Sequence, residues 1–107
     1  MSNLLTFKPE QSDDTMLLYL DEEDRSVYVD GKRFPLTEQE YSLLEQLALR
    51  AGEPVSRDEL LKTAWGYISP GETRTVDVHV QRLRKKLGFD AIATVYRIGY
   101  KLQATPA

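Results

Sequence analysis

The sequence has no cysteine and a single histidine, and these two shortages remove several kinds of chemistry at once. Without thiols there is no disulfide framework, no thiolate metal site and no Cys/His catalytic dyad, and nothing points to an oxidising compartment. His79 has no Cys or second His beside it, which argues against metal ligation. A Ser/His/Asp triad would have to assemble around His79 on a surface crowded with cations, and Asp77, two residues away, points well away from it on a helix. Gly66 and Gly71 do not fit the G-x-x-x-x-G-K-[ST] phosphate loop. The paired carboxylates Asp13-Asp14 and Glu22-Glu23 lie in polar segments and read as solvated charge. No apolar run approaches the roughly 20 residues of a membrane helix. The opening MSNLLTFKPEQ lacks the basic segment and long apolar core of a signal peptide. There are no internal repeats and no low-complexity tracts. The expectation is a cytoplasmic protein that is not an enzyme and needs neither cofactor nor metal.

What remains is a chain of 107 residues, 41% hydrophobic and 29% charged, values for one folded domain rather than a disordered segment. Its net charge of −3 conceals an asymmetry. Residues 1–72 hold 7 Lys+Arg against 15 Asp+Glu, a net of −8, whereas residues 73–107 hold 7 against 2, a net of +5. A phosphate backbone responds to the charge on the docking surface, so a basic third on an acidic body is compatible with nucleic acid.

Residues 1–15 are polar and without period, and read as a flexible tail or linker remnant. MLLYL, RSVYV and KRFPL then read as strands of a small antiparallel sheet, with Asp30-Gly31 as a type I′ hairpin turn and Pro35 confining the third run to an edge or a strand end. Thr37 to Ala51 reads as a helix, opened by a T-x-x-E capping box (Thr37, Glu40) and stopped by Gly52. Ser56 to Trp65 repeats the device with Ser56, Glu59 and Gly66. A breaker-rich loop, GYISPGET, leads to a third helix over 74–87, and residues 92–102 form a terminal hairpin. The domain spans 16–103, and 104–107 is a frayed end. Sheet, helix, helix, loop, basic helix and hairpin, in that order, describe an α+β fold, a winged helix-turn-helix with an N-terminal antiparallel sheet and a three-helix core.

The third helix, RTVDVHVQRLRKKL, has two faces. At about 100° per residue Val76, Val80, Leu83 and Leu87 fall in one narrow apolar stripe. Opposite lie Arg74, Val78, Gln81, Arg82 and Lys85, flanked by Thr75, His79 and Lys86, with Asp77 and Arg84 on the other flank. Arg bonds guanine bidentately, Gln bonds adenine and an aliphatic group touches a thymine methyl, so this face suits a DNA major groove. It equally describes a solvated basic face, and both readings are open on this stretch alone. A winged helix used for protein docking, with DNA binding lost, is the alternative function; it has no need of Arg74, Arg82, Lys85 and Lys86 on one exposed arc. Trp65 reads as core, with phosphate contact through its indole as the other reading. Tyr67, Ile68 and Pro70 either pack on the helices or meet a partner, and Asp77 either orients an arginine or pairs with Gln81.

LTEQEYSLLEQLA, VSRDELLKTAWG, RTVDVHVQRLRKKL and TVYRIGYKL, in that order, resemble the C-terminal DNA-binding effector domain of OmpR/PhoB-type bacterial response regulators, over about Leu17 to Leu102. The resemblance implies a four-stranded N-terminal sheet, a three-helix core and a C-terminal wing. It also implies double-stranded promoter DNA as partner, commonly through a homodimer on tandem half-sites. Carried across by position, Arg82 touches bases with Gln81 beside it, Arg74, Thr75, His79 and Arg84 contact phosphate or brace the helix, Trp65 sits at the backbone and Thr94 lies in the wing. The loop Tyr67, Ile68, Ser69, Pro70, Gly71 and Glu72 would contact RNA polymerase. The wing departs from the family's T-V-R-G-x-G-Y: here Tyr96 stands for the arginine and Arg97 for the turn glycine. Both are counted among the DNA-binding candidates, with Arg97 strained if its φ is positive. The receiver domain that phosphorylation controls in the family does not lie within these residues.

Overall fold

Alternation of buried and exposed side chains over residues 18–29 builds the first layer. In the computed structural model, which describes residues 5–9, 18–66, 73–87 and 91–106, this stretch forms β2 (Leu18–Asp21) and β3 (Ser26–Val29), followed by β4 (Lys32–Pro35). Leu18 pairs across the ladder with Val29 and Leu20 with Val27, so four buried aliphatic side chains line the inner face. Asp30 and Gly31 both take positive φ (54° and 80°), as the hairpin turn requires. Pro35 ends β4 at the sheet's edge, where a missing N–H costs no ladder bond.

Two strands lie in stretches that read as tail and frayed end. β1 (Leu5–Pro9) pairs antiparallel with β2 and, on its other side, with β8 (Ala104–Pro106). The result is a five-stranded sheet, β4-β3-β2-β1-β8, one strand more than the resemblance implies. Neither LTFKP nor ATP carries a detectable period; their conformation comes from the ladder they join.

α1 (Glu38–Leu49) has the full capping box, with Thr37 Oγ1 accepting from Glu40 N (3.1 Å) and Glu40 Oε1 from Thr37 N (2.9 Å). It ends at Leu49, two residues short of Ala51, with Arg50 as its C-cap, and Gly52 N donates to Leu102 O at 2.9 Å. α2 (Arg57–Trp65) keeps only half of its box. Ser56 Oγ accepts from Glu59 N, but the Glu59 carboxylate pairs with Arg50 instead of turning back. Gly66, at φ 76°, ends the helix in the left-handed conformation. Before α2, β5 (Val55–Ser56) pairs with β7 (Gly99–Leu102), which pairs with β6 (Ile92–Val95), giving the three-stranded sheet β5-β7-β6. Gly99 makes this possible, because a Cβ there would collide with the Val55 carbonyl oxygen.

α3 (Arg74–Leu87) lies on α1 and α2, its stripe Val76, Val80, Leu83 and Leu87 buried in the common core with Leu43, Leu44, Leu47, Leu60 and Leu61. Its last turn is anchored by a charge. Glu40, 2% exposed, receives Lys86 Nζ at 2.6 Å besides its capping bond. Lys86, a flank residue by the helical wheel and one of the four cations counted on the exposed arc, therefore faces the α1 cap instead. Burial pushes the Glu40 carboxyl up, but the Lys86 and Thr37 hydrogen bonds outweigh it and hold the group below its ordinary value. A depressed carboxyl pKa gives stability that is present above the ordinary carboxylate range and lost as pH falls through the folded-state value. Lys86→Met should therefore cost about 1–2 kcal/mol at neutral pH, measured by urea unfolding. The penalty should shrink as pH falls through the folded-state value of Glu40, which lies below the ordinary carboxylate range. An equal loss above and below that value would mean that only the packing of the lysine stem matters.

Candidate nucleic-acid interface

Burying the stripe of α3 fixes the helix's rotation, and with it the face turned to solvent. Thr73 O opens the helix by accepting from Val76 N at 3.0 Å. Arg74, Val78 (42% exposed), Gln81, Arg82 and Lys85 then project outward. Arg84, Lys85 and Lys86 also sit in the last turn, where the helix dipole favours cations. An open groove lined by Arg57, Thr73, Arg74, Asp77, Val78 and Gln81 runs along the N-terminal half of this face.

Five candidates are engaged within the domain. His79 is only 9% exposed; its Nδ1 lies 2.8 Å from Thr75 O, and since a carbonyl only accepts, Nδ1 carries the hydrogen. Its ring packs on Trp65, centroids 4.9 Å apart. Trp65 is half-buried against the core, and its indole N–H donates to Gln39 O at 3.1 Å. These two rings join α2 to α3. Arg84 is directed at the wing: Nε and Nη2 donate to Ile92 O at 3.1 and 2.9 Å, and Nη2 also to Thr94 Oγ1 at 2.9 Å. Thr94 stays exposed, its hydroxyl oxygen accepting from Arg84. Thr75 is half-buried, its carbonyl held by His79.

The wing tip is fully outward. Tyr96 is 79% exposed, and the Arg97 guanidinium lies 5.3 Å from its ring centroid. Arg97 has φ 63°, so the arginine occupies the left-handed conformation that favours glycine. The expected strain is present. The loop Tyr67 to Glu72 lies outside the described residues.

One residue was invisible in the sequence. Arg57, the first residue of α2, donates from Nε to Asp77 Oδ1 at 2.7 Å, and the Tyr100 hydroxyl donates to the same oxygen at 2.6 Å. The Arg57 guanidinium also lies 5.3 Å from the Tyr100 ring centroid. Asp77 thus orients an arginine of another helix rather than pairing with Gln81. Burial raises the Asp77 carboxyl, but bonding to Arg57 and Tyr100, with the nearby charge of Arg74, leaves it below its ordinary value; burial and Asp77 push the Tyr100 phenol up. The only signal in the sequence was an anion in the first turn of an otherwise cationic helix, which needs a neutralising partner.

The family model described as "Transcriptional regulatory protein, C terminal" matches residues 31–102. Among curated proteins, the transcriptional regulatory protein CseB of Streptomyces avermitilis is 47% identical over 87 residues, covering 81% of this chain and 37% of CseB. VxrB of Vibrio cholerae is 43% identical over 90 residues, covering 84% of this chain and 37% of VxrB. The chain thus spans well under half the length of these relatives. The Klebsiella pneumoniae RstA DNA-binding domain, solved in complex with the RstA box, is 38% identical, with a TM-score of 0.71, over 79% of this chain and 89% of that domain.

Arg84→Ala should release the wing from α3. We expect a loss of about 1–2 kcal/mol in unfolding free energy and faster amide exchange in β6 and β7 than in α1. Uniform exchange across the domain would show that the tether adds nothing local.

Proposed function

Since the chain belongs to the family of transcriptional regulatory protein C-terminal domains, sequence-specific DNA-binding modules of the response-regulator type, we propose that it recognises double-stranded promoter DNA with α3 in the major groove. The observation that carries this reading is the outward arc of Arg74, Val78, Gln81, Arg82 and Lys85 on a helix whose other side is wholly buried. Arg82 and Gln81 contact base edges, and Val78 meets a thymine methyl. Arg74 and Lys85 supply phosphate affinity. Arg97, with Tyr96 beneath its guanidinium, brings the wing to the adjacent backbone or minor groove. Arg84, Thr94, Trp65 and His79 act one step back, holding wing and helices in position. Arg57 is held on Asp77 beside that arc.

The remaining proposals concern the whole protein, of which this chain is similar to a part. We place it in the cytoplasm, as the output domain of a two-component regulator or a free-standing relative, acting as a homodimer on tandem half-sites. Residues 67–72 contact RNA polymerase in this scheme.

Selection from a random duplex pool, followed by salt titration of the winner, tests the reading. Arg82→Ala should lower discrimination at one base position roughly tenfold. Lys85→Ala should weaken binding evenly across sequences and reduce the salt slope by about one. Equal binding of the selected duplex by Arg82→Ala and wild type would sink α3 as the base-reading element.

A further inference from the structure

Asp77 is an anomaly on a surface meant for a polyanion. A carboxylate facing phosphate is repelled, and a helix presenting Arg74, Val78 and Gln81 would gain phosphate affinity by losing it. Yet Asp77 is held there by two donors from separate elements, Arg57 of α2 and Tyr100 of β7. Both bonds end on Oδ1. Among the described residues no donor reaches Oδ2, and the side chain remains 39% exposed in the groove that Arg74, Val78 and Gln81 line. The residue sits in the first turn of α3, the end of a recognition helix that meets base edges.

We propose that Asp77 is a base-specificity residue, its clamped carboxylate using Oδ2 to accept a hydrogen bond from the N4 amino group of a cytosine in the major groove. This rests on α3 being the major-groove element. The choice of base follows from what each edge offers. Thymine presents O4 and guanine presents O6 and N7, all acceptors that repel a carboxylate; adenine offers its N6 amine only beside the N7 acceptor. Cytosine alone presents a donor with no acceptor on its own edge. The Arg57–Tyr100 clamp serves this role in two ways. It neutralises the carboxylate that a phosphate-lined groove would otherwise expel, and it fixes the rotamer, so ordering the side chain costs little when DNA binds. Arg57 and Tyr100 are then positioning residues, and Asp77 touches the base.

The test uses the duplex selected by the wild-type chain, with every base pair of the site substituted in turn. At one position, replacing cytosine by thymine should weaken wild-type binding roughly tenfold. N4-methylcytosine at that position keeps the Watson–Crick pair but replaces the outward N–H, so it should weaken binding to a similar extent. This arm needs no variant and does not depend on how substitutions fold. Asp77→Asn offers both a donor and an acceptor; it should tolerate thymine there within about twofold while keeping its preferences elsewhere. Arg57→Ala, which frees the carboxylate, should shrink the cytosine preference at that position more than the preferences elsewhere.

If Asp77→Asn keeps every base preference and is merely weaker throughout, or if N4-methylcytosine is accepted at every cytosine of the site, the inference is overturned and Asp77 is only a support for Arg57. A preference for adenine at the Asp77-dependent position would overturn the assignment to cytosine. Enrichment of no sequence by the wild type would overturn the major-groove reading itself, and this inference with it. Loss of base preference in Arg82→Ala alone leaves that reading standing while Asp77 is judged separately.

Discussion

Everything on the exposed side of this domain depends on how α3 is rotated, and its rotation is set by the burial of four side chains. Val76, Val80 and Leu83 are completely enclosed and Leu87 nearly so. Fully burying aliphatic groups of this kind is worth about 1.5–3 kcal/mol each relative to exposure. A turn of the helix by one residue, about 100°, would expose part of that stripe and bury arginine in its place. The stripe is narrow, so the opposite face is correspondingly wide. This leaves room for a base-reading arc and two flanks that do different work.

Those flanks show that cations on one helix are not a uniform basic surface. Lys86 neutralises the carboxylate that caps α1, Arg84 is consumed by the wing, and only Arg74, Arg82 and Lys85 stay turned to solvent. Asp77 draws in Arg57 and Tyr100, so α2, α3 and β7 meet at one carboxylate oxygen. Each tether ties a different element to α3: the α1 cap, the hairpin and the start of α2. The wing and the helix are therefore presented to a ligand as one rigid surface.

Features set by near neighbours were legible in the sequence. The α3 stripe, the Thr37 cap, the turn at Asp30 and Gly31, the stop at Gly66 and the strain at Arg97 all follow from rules spanning a few residues, and the structure shows each of them. What escaped was set by distant partners. Nothing local to LTFKP announces a strand, because its reason for extending is β2 on one side and β8 on the other. The half-completed box at Ser56 reflects Arg50, which takes the carboxylate that would have closed it. The wheel counted His79 and Lys86 as flank residues because it knows angles but not neighbours; Trp65 covers one and Glu40 claims the other. Most of the fold was readable, and so was the outward arc. The allocation of individual charges was not.

The pairing of β1 with β8 couples Phe7 to Pro106 in register, bringing together backbone from opposite ends of the described chain. A contact between residues so far apart in sequence carries a large loop-closure penalty unless the intervening chain is already compact. Nearly all of the core lies between them, so closing this ladder costs least once that core has formed. β8 follows β7 after a single residue, so the backbone that closes the sheet is continuous with the strand that carries the wing. The sheet farthest from the ligand-facing side is thus closed by the same run of backbone that anchors the wing.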